Sequence, residues 1–298
     1  MIQVQNVQQQ PSQDVREQLY SQLEGYMGLS STKKKMDSSE KSGGTTLKRK
    51  SSEQSSSSSS SKALSKNTLA IKVNGKTIKG SAQNIVGRVV EAEMGASFRE
   101  EALKAQAVAA YTYIRYNNQK GTIPSLPAKS SVSAKVEDAV EQVIGEALYY
   151  QGEYINATYC ASNAGNSVDS ENVWGGYLPY LRSVESPGDT TLKAYGAVKR
   201  FSEEEIAQYI EENLDVDPYD YSDPDEWFED EEYINGRYVD SIRVCGKRLS
   251  GREAREELME FALPSAAFEV EYDDGEFIFT TYGYGHGVGM SQRGAQTM

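Results

Sequence analysis

Alternating apolar and polar residues begin the part of the chain that is expected to fold. Leu69, Ile71 and Val73 alternate with polar residues, Asn74-Gly75 follows, and an extended pattern resumes at Thr77-Ile78. Asn-Gly between two such runs favours a tight two-residue turn, because both residues tolerate positive φ. The pattern therefore predicts a β-hairpin.

Helical spacing replaces this alternation immediately after the hairpin. We predict a helix over about 82–94, with the hydroxyl of Ser81 as its N-cap. Glu93 falls on the apolar stripe of this helix. The stripe consists of Ile85, Val86, Val89 and Val90.

A second helix is expected directly afterwards. Ser97 and Glu100 have the Ser-x-x-Glu spacing of a capping box, which predicts a start near Ser97 and a helix through about Tyr116. Its many alanines would allow another element to pack closely.

Helices and strands are mixed along the rest of the chain, which favours the α+β class, a single mixed domain of short hairpins and helices around one core. In order, we predict a helix over 136–144, a hairpin from 148–150 and 154–159, an acidic helix over 201–213, an acidic aromatic loop over 215–232, a strand over 238–244, a helix over 251–260 and a hairpin from 268–272 and 277–281.

The first 66 residues differ from this part in composition. They contain seven consecutive serines, Ser55 to Ser61, and few apolar residues after position 32. Such a segment buries too little surface to offset its ordering entropy, so residues 1–66 are predicted to be a low-complexity tail or linker. Within it, residues 13–29 have the spacing of a short amphipathic helix. Residues 67–298 are expected to form the folded domain.

Charge is distributed unevenly around the net value of −13. Residues 33–66 include nine basic and three acidic side chains, whereas the insertion over about 203–232 has fifteen acidic and no basic ones. The acidic folded part is a poor partner for nucleic acid. For the basic tail, a solvated linker is favoured over contact with anionic envelope polymers or membrane lipid.

Glu93 is the first candidate for chemistry. Burial on an apolar stripe raises the pKa of a glutamic acid above its usual value of about 4.3. A carboxyl group with a raised pKa can hold a proton near neutral pH and act as a general acid. The alternatives are that helix rotation exposes Glu93 or that a base such as Arg99 pairs with it.

His286 is the second candidate, and it is the only histidine in the chain. It lies in a glycine-rich run, Tyr284 to Ala295, whose backbone can closely approach a ligand or another strand. The imidazole is interpreted either as structural or as a group that orients a substrate oxygen or positions Glu93.

The two cysteines, Cys160 and Cys245, support no specific site. Their pairing is left open, since two cysteines on unrelated segments do not establish a disulfide. Cys160 precedes His286 as in some thiol hydrolases, but a free cysteine in a strand is usually a small buried hydrophobe. The sequence has no metal-ligand spacing, so we predict no metal and no cofactor.

A small polar turn at 162–167 and the aromatic residues that follow it suit a sugar ligand. Ser162 and Asn163 offer hydrogen bonds, and Trp174 offers a ring face, although an ordinary turn and core packing are also consistent with the pattern.

Four motifs occur in order and cover the chain from about Leu69 to its end. They are V-V-E-A-E-M at 89–94 with E-A-L-K-A-Q-A-V-A-A-Y-T-Y at 101–113, A-S-N-A-G-N-S at 161–167 with Trp174 and P-Y-L at 179–181, L-S-G-R-E-A-R at 249–255, and G-H-G-V-G-M-S-Q at 285–292. In these motifs the chain resembles the stage II sporulation protein D family, which includes the amidase-enhancer proteins.

The resemblance implies an extracytoplasmic protein of the cell envelope that cleaves peptidoglycan glycan strands as a lytic transglycosylase during engulfment. It also implies a partner amidase and membrane attachment only through an anchor that is absent from this chain. The catalytic glutamate of the family corresponds to Glu93. His286, Ser291, Gln292, Ser162, Asn163, Gln106 and Tyr111 are the predicted substrate-binding residues.

The chain departs from the family pattern at two positions. Gly95 stands where the family usually has proline, and Tyr111 where it usually has arginine. These departures support the alternative of a non-catalytic glycan-binding activator of an amidase. Some relatives bind zinc through His and Cys near the turn at 162–167, but only Cys160 is present here.

Overall fold

The computed structural model describes residues 2–5 and 67–298. Strand β1 (Ile2–Gln5) lies inside the predicted tail and was not expected from the sequence. The helix predicted over 13–29 and the remainder of the tail lie outside the described residues.

The predicted first hairpin and helix are both present. Strands β2 (Thr68–Val73) and β3 (Lys76–Ser81) pair antiparallel through a turn in which Asn74 and Gly75 have φ of 47° and 77°. Helix α1 (Ala82–Glu93) follows, and the Ser81 hydroxyl accepts a hydrogen bond from the backbone N–H of Asn84 at 3.3 Å. The apolar stripe of α1 is buried.

Helix α2 (Glu100–Gln119) is the long, buried helix of the fold. The predicted capping box at its start is wrong, because the N-cap residue is Arg99 and no side chain caps the helix. Glu100 instead pairs with Lys104 at 2.8 Å, one turn further along. Ser97 lies in the preceding turn, so its spacing to Glu100 was coincidental.

The next helix and hairpin are shifted or shortened relative to the prediction. Helix α3 (Ala134–Val143) packs on α2, and β4 (Ala147–Tyr150) pairs with a short β5 (Glu153–Tyr154). Strand β1 pairs antiparallel with the other edge of β4, giving the order β1-β4-β5.

The second predicted strand of that hairpin is interrupted. Its last residue, Tyr159, instead begins a separate strand, β6 (Tyr159–Cys160). A short helix α4 (Ser170–Trp174) and a 3₁₀ turn (Pro187–Thr191) follow.

The acidic helix predicted over 201–213 begins slightly later, and the strand that precedes it was missed. Strand β7 (Tyr195–Ser202) is followed by α5 (Glu203–Leu214), which starts with a complete capping box from Ser202 and Glu205. The missed strand is largely exposed, so it lacks a clear apolar alternation.

The acidic loop predicted over 215–232 is in part regular structure. It contains α6 (Pro218–Tyr221) and the start of β8 (Phe228–Ile234), which pairs with β9 (Tyr238–Val244). Strand β10 (Lys247–Leu249) completes a sheet in the order β10-β9-β8. A loop prediction failed here because four consecutive acidic residues, 229–232, conceal the strand pattern.

The predicted helix over 251–260 divides into two forms. One turn of α-helix, α7 (Gly251–Glu253), continues as a π-helix (Ala254–Leu258). The final predicted hairpin is present as β11 (Phe268–Asp273) and β12 (Glu276–Tyr282), and β7 pairs with β12.

A strand and a helix follow the final hairpin and pack against earlier elements. Strand β13 (Met290–Ser291) pairs in parallel with β6, and helix α8 (Gln292–Thr297) then packs against α2. The last strand therefore joins segments that are 131 residues apart in the pairing of Ser291 with Cys160.

Two buried apolar clusters stabilise these elements. The larger surrounds α1, α2 and α3, and the smaller lies between α5, the π-helix and the sheet of β7, β11 and β12. Trp227, which belongs to the acidic segment, is fully buried in the smaller cluster and stacks on Phe277. The mixture of helices with small sheets confirms the α+β class. Among residues 67–298, no helix has both the length and the apolar character needed to cross a membrane.

Candidate functional site

Glu93 occupies the last turn of α1, where the helix is terminated by Gly95 with a φ of +71°. Proline holds φ near −65°, so this turn requires a residue other than the proline typical of the family. The loop that follows is held by Lys135, whose ammonium group donates to the carbonyls of Ala96 and Phe98 at 3.1 and 2.5 Å. The backbone around Glu93 is thus fixed from outside α1.

One glutamine side chain bonds to the Glu93 carboxyl group, and a second glutamine contacts the first. Nε2 of Gln292 donates to Oε2 of Glu93 at 3.2 Å and lies 3.4 Å from Oε1 of Gln106. Gln106 comes from the middle of α2 and is fully buried. The structure therefore brings together three predicted site residues from α1, α2 and α8.

Tyr159 completes this group and was not predicted. Its ring is partly buried, and its hydroxyl is buried beside Glu93 and Gln106, near enough to stabilise the Glu93 carboxylate although no contact within residues 67–298 has full hydrogen-bond geometry. Nε2 of Gln106 is likewise buried without a partner among the described residues. Buried polar atoms that lack partners are uncommon in folded proteins and are often associated with functional sites.

The surroundings of Glu93 favour its protonated form. Burial raises the pKa of the half-buried carboxyl group, whereas the side chains of Gln292 and Tyr159 partly oppose this by stabilising the charged form. Glu93 also lies at the carbonyl end of α1, where the helix dipole disfavours a negative charge. The carboxyl group is therefore suited to holding and releasing a proton.

The glycine-rich segment allows this assembly through close backbone packing. A Cβ on Gly289 would lie 2.3 Å from the carbonyl oxygen of Thr158, and one on Gly287 would lie 2.2 Å from the hydroxyl of Tyr238. Both glycines have positive φ, near 80°. Of the two uses considered for these glycines, approach to a ligand or to another strand, the structure shows the second.

Ser291 is fully buried and its hydroxyl is occupied. It donates to Oδ1 of Asp189 at 2.7 Å and accepts from the backbone N–H of Gly294 at 2.8 Å, which caps α8. Burial raises the pKa of Asp189, although three hydrogen bonds oppose that effect. We infer that Ser291 anchors the segment that carries Gln292, and that it does not face a sugar.

Ser162 and Asn163 are also buried. The backbone of Ser162 exchanges two hydrogen bonds with Tyr284, and the backbone N–H of Asn163 donates to Asp189 at 3.1 Å. Oδ1 of Asn163 accepts a hydrogen bond from the thiol of Cys160. Both residues thus contribute to the support beneath β6 and β13, where their hydrogen bonds are internal.

His286 makes no contact with Glu93 among the described residues and interacts instead with Trp174, Val288 and the backbone of Tyr159. Its ring centroid is 5.1 Å from that of Trp174, and its Nδ1 accepts from the backbone N–H of Val288 at 3.1 Å. Burial and the positive charge of Arg255 lower the pKa of His286 to about 4. The imidazole is therefore neutral at physiological pH, and the hydrogen bond to Glu93 comes from Gln292 instead.

Tyr111 belongs to a different cluster. Its hydroxyl accepts from Nε of Arg115 at 3.1 Å and interacts with Tyr154 of β5. Tyr111 is buried and lies on a different side of α2 from Gln106, because five residues correspond to about 500° of helical rotation. The structure does not place it with Glu93.

The two cysteines are not paired with each other in the structure. Both thiols are free and buried, and burial, with the negative charge of Asp189, raises the pKa of Cys160 to about 12. A protonated thiol that donates to Asn163 is neither a ready nucleophile nor a ready ligand. Within residues 67–298, no three His, Cys, Asp or Glu side chains gather as a metal site.

The sequence patterns did not identify two residues that contribute to the site or its support, Tyr159 and Asp189. Tyr159 precedes Cys160 in a strand of only two residues, and its alternation points its side chain away from Cys160. Asp189 lies in the 3₁₀ turn without a distinctive motif. No local pattern identifies either residue, because Glu93 lies 66 residues before Tyr159 and Ser291 lies 102 residues after Asp189.

Comparisons with known proteins agree with the motifs. Residues 79–150 match the family model described as Stage II sporulation protein. The chain is 33% identical over 258 residues to the stage II sporulation protein D of Bacillus subtilis (strain 168), covering 75% of this chain and 71% of that protein. The protein of the same name from Bacillus amyloliquefaciens is 32% identical over 254 residues. The amidase enhancer of Bacillus subtilis (strain 168) is 26% identical over 273 residues, covering 70% of this chain and 36% of that protein.

Proposed function

This chain belongs to the stage II sporulation protein D family, and from this premise we propose that it cleaves peptidoglycan glycan strands as a lytic transglycosylase. Glu93 serves as both acid and base. The setting of this reaction is the remodelling of the cell wall in sporulation, during engulfment, outside the cytoplasm.

The proposal rests on the burial, the raised pKa and the hydrogen bonding of the Glu93 carboxyl group. This group is half-buried, its pKa is raised by that burial, and it is held by Gln292. A general acid must be protonated near the working pH and still reach its substrate. The raised pKa of Glu93 favours the protonated form, and its half burial leaves part of the side chain accessible.

One carboxyl group is sufficient for the proposed reaction. Protonated Glu93 donates its proton to the glycosidic oxygen between N-acetylmuramic acid and N-acetylglucosamine, and the bond from that oxygen to C1 of the muramic acid breaks. The resulting carboxylate takes the proton of the muramic C6 hydroxyl, whose oxygen forms the new bond to C1. The products are an N-acetylglucosamine end and a 1,6-anhydromuramic end, and Glu93 is again protonated.

The surrounding residues support this cycle. Gln292 donates a hydrogen bond to the carboxylate form, and the buried hydroxyl of Tyr159 stabilises the same form. Gln106 orients Gln292 through their 3.4 Å contact. Their shared role is to keep Glu93 in position during the change of its charge.

The test compares wild type with Glu93→Gln on glycan strands from which the stem peptides have been removed. Mass spectrometry measures the appearance of 1,6-anhydromuramic ends. The wild type should produce them, and Glu93→Gln should reduce their rate by at least about a hundredfold, since general acid–base groups contribute about 10²–10⁴. Glu91→Gln is the matched control, because Glu91 lies on the same helix but bonds to Ser133.

The second candidate function is a non-catalytic glycan-binding activator of a cell-wall amidase. The similarity to the amidase enhancer over 70% of this chain favours it. In this case a partner amidase is stimulated equally by wild type and Glu93→Gln, and neither releases anhydro ends. If Glu93→Gln produced anhydro ends as fast as wild type, the catalytic assignment would fail.

A further inference from the structure

A groove lined by tyrosines lies at the C-terminal end of α2, whereas Gln106 lies in the first half of that helix. Its volume is about 730 Å³, within the range of roughly 300–1,000 Å³ that is usual for ligand sites. It is formed by the end of α2, the turn between β4 and β5, and the segment that follows α4. The ring-bearing lining residues are Tyr116, Tyr150, Tyr154 and Tyr180.

Helix α2 links the groove to the Glu93 site. Gln106, which lies 3.4 Å from Gln292, is in the first half of this helix, and Tyr116, which lines the groove, is near its end. Ten residues of α-helix rise about 15 Å, so the two places lie along one rigid element.

The lining combines ring faces with polar groups that hydrogen-bond. The rings of Tyr150 and Tyr180 are 5.5 Å apart and tilted by 49°, so they form two walls at an angle. Gln119 and Gln151 supply amide groups at the rim. Sugar rings present C–H faces and hydroxyls together, and amphipathic aromatic side chains match both.

Charge argues for a mainly neutral ligand. Among the lining residues, Lys120 is the one cation and Glu153 the one anion, so their charges balance. Nζ of Lys120 lies 3.9 Å from the ring centroid of Tyr116 and donates to its hydroxyl at 2.6 Å. An anionic membrane headgroup, or several muramic carboxylates at once, would require more cations than this lining provides.

We propose that this groove, which we call the tyrosine groove, binds uncharged N-acetylglucosamine residues of the same glycan strand at a distance from Glu93. The inference rests on the proposed function, because it takes the strand held at Glu93 as the occupant. A long strand would be gripped at two places along α2, and a short one only at Glu93.

The experiment measures binding separately from cleavage. The probe is chitohexaose, a chain of six β-1,4-linked N-acetylglucosamine residues, titrated calorimetrically into the full-length Glu93→Gln protein. In this background Tyr116→Ala and Tyr150→Ala should each weaken binding about tenfold, as truncation of an aromatic anchor does at interfaces. Tyr150→Phe should retain the affinity of the parent within about threefold, because it keeps the ring. Tyr221→Ala is the control, since Tyr221 is 43% exposed on α6, outside the groove.

The outcomes separate this inference from the proposed function. Tyrosine variants that bind chitohexaose as tightly as their folded parent, with circular dichroism as the check of folding, overturn the groove. Absence of measurable chitohexaose binding by the parent overturns it as well. With wild-type Glu93 and long peptide-free strands, the same variants should raise KM and leave kcat nearly unchanged. If cleavage proves independent of Glu93 while the calorimetric losses occur as expected, the catalytic proposal fails and the groove stands.

Discussion

Substitution of Gly289 by alanine tests how the site is assembled. Gly289 precedes β13 and has a φ of +81°, and an added Cβ would lie 2.3 Å from the carbonyl oxygen of Thr158. A backbone carbonyl cannot move aside as a flexible side chain would. The parallel pair of β6 and β13 must therefore separate to admit the methyl group.

The cost has two parts. An alanine in the left-handed region costs about 1–2 kcal/mol relative to glycine. Overpacking a well-packed site adds about 1–3 kcal/mol. We expect Gly289→Ala to lower the free energy of unfolding by about 3 kcal/mol.

Gly275→Ala is the matched control. Gly275 has nearly the same φ, +84°, but an added Cβ there would meet no atom within 4 Å. Only the conformational cost of about 1 kcal/mol applies. Equilibrium urea unfolding of both variants isolates the steric cost at Gly289, about 2 kcal/mol, as the difference between them.

The reasoning would be refuted by equal losses in the two variants, since the contact with Thr158 would then cost nothing. A second measurement concerns the site itself. Because Gln292 follows the strand that must move, Gly289→Ala should also reduce glycan cleavage, whereas Gly275→Ala should not.

Four further predictions concern charge and buried hydrogen bonds. The single imidazole of His286 should titrate in NMR spectra with a midpoint of about 4, and a midpoint near 6.5 would contradict its burial. Gln292→Leu removes a group that lowers the pKa of Glu93, so the alkaline limb of the pH–rate profile should move to higher pH; a shift to lower pH would contradict the assigned hydrogen bond. Burial raises the pKa of Glu93 in the folded protein above its value in the unfolded chain. The contribution of Glu93 to the free energy of unfolding is therefore fully present below the unfolded pKa and is lost as pH rises through the folded pKa. Urea unfolding of Glu93→Gln should lack this loss. Asp189→Ala leaves the buried hydroxyl of Ser291 without its acceptor, which should cost about 3 kcal/mol in the same unfolding assay and should leave α8 less protected in hydrogen exchange.

Local patterns predicted the elements whose sequence alone determines them. The Asn74-Gly75 turn and the apolar stripe of α1 are formed by neighbouring residues, and both were found as expected. Glu93 was found through its position on that stripe. Its raised pKa follows from the same burial.

Elements that depend on distant partners were not predictable in this way. Strand β7 is mostly exposed and exists because β12 pairs with it, and β8 carries acidic residues while its ladder with β9 defines it. The contact of Tyr159 with Glu93 likewise joins two segments that are 66 residues apart. Sequence periodicity contains no information about which distant segment will supply such a partner.

The pairing of β6 with β13 has a consequence for the timing of synthesis. Glu93 and the amide that holds it are separated by 199 residues. At about 5–20 residues per second, the ribosome needs roughly 10 to 40 seconds to pass from one to the other. During that interval the nascent chain carries the carboxyl group without its partner. The acid is completed only when the last helix has left the ribosome, so an unfinished chain carries an incomplete site.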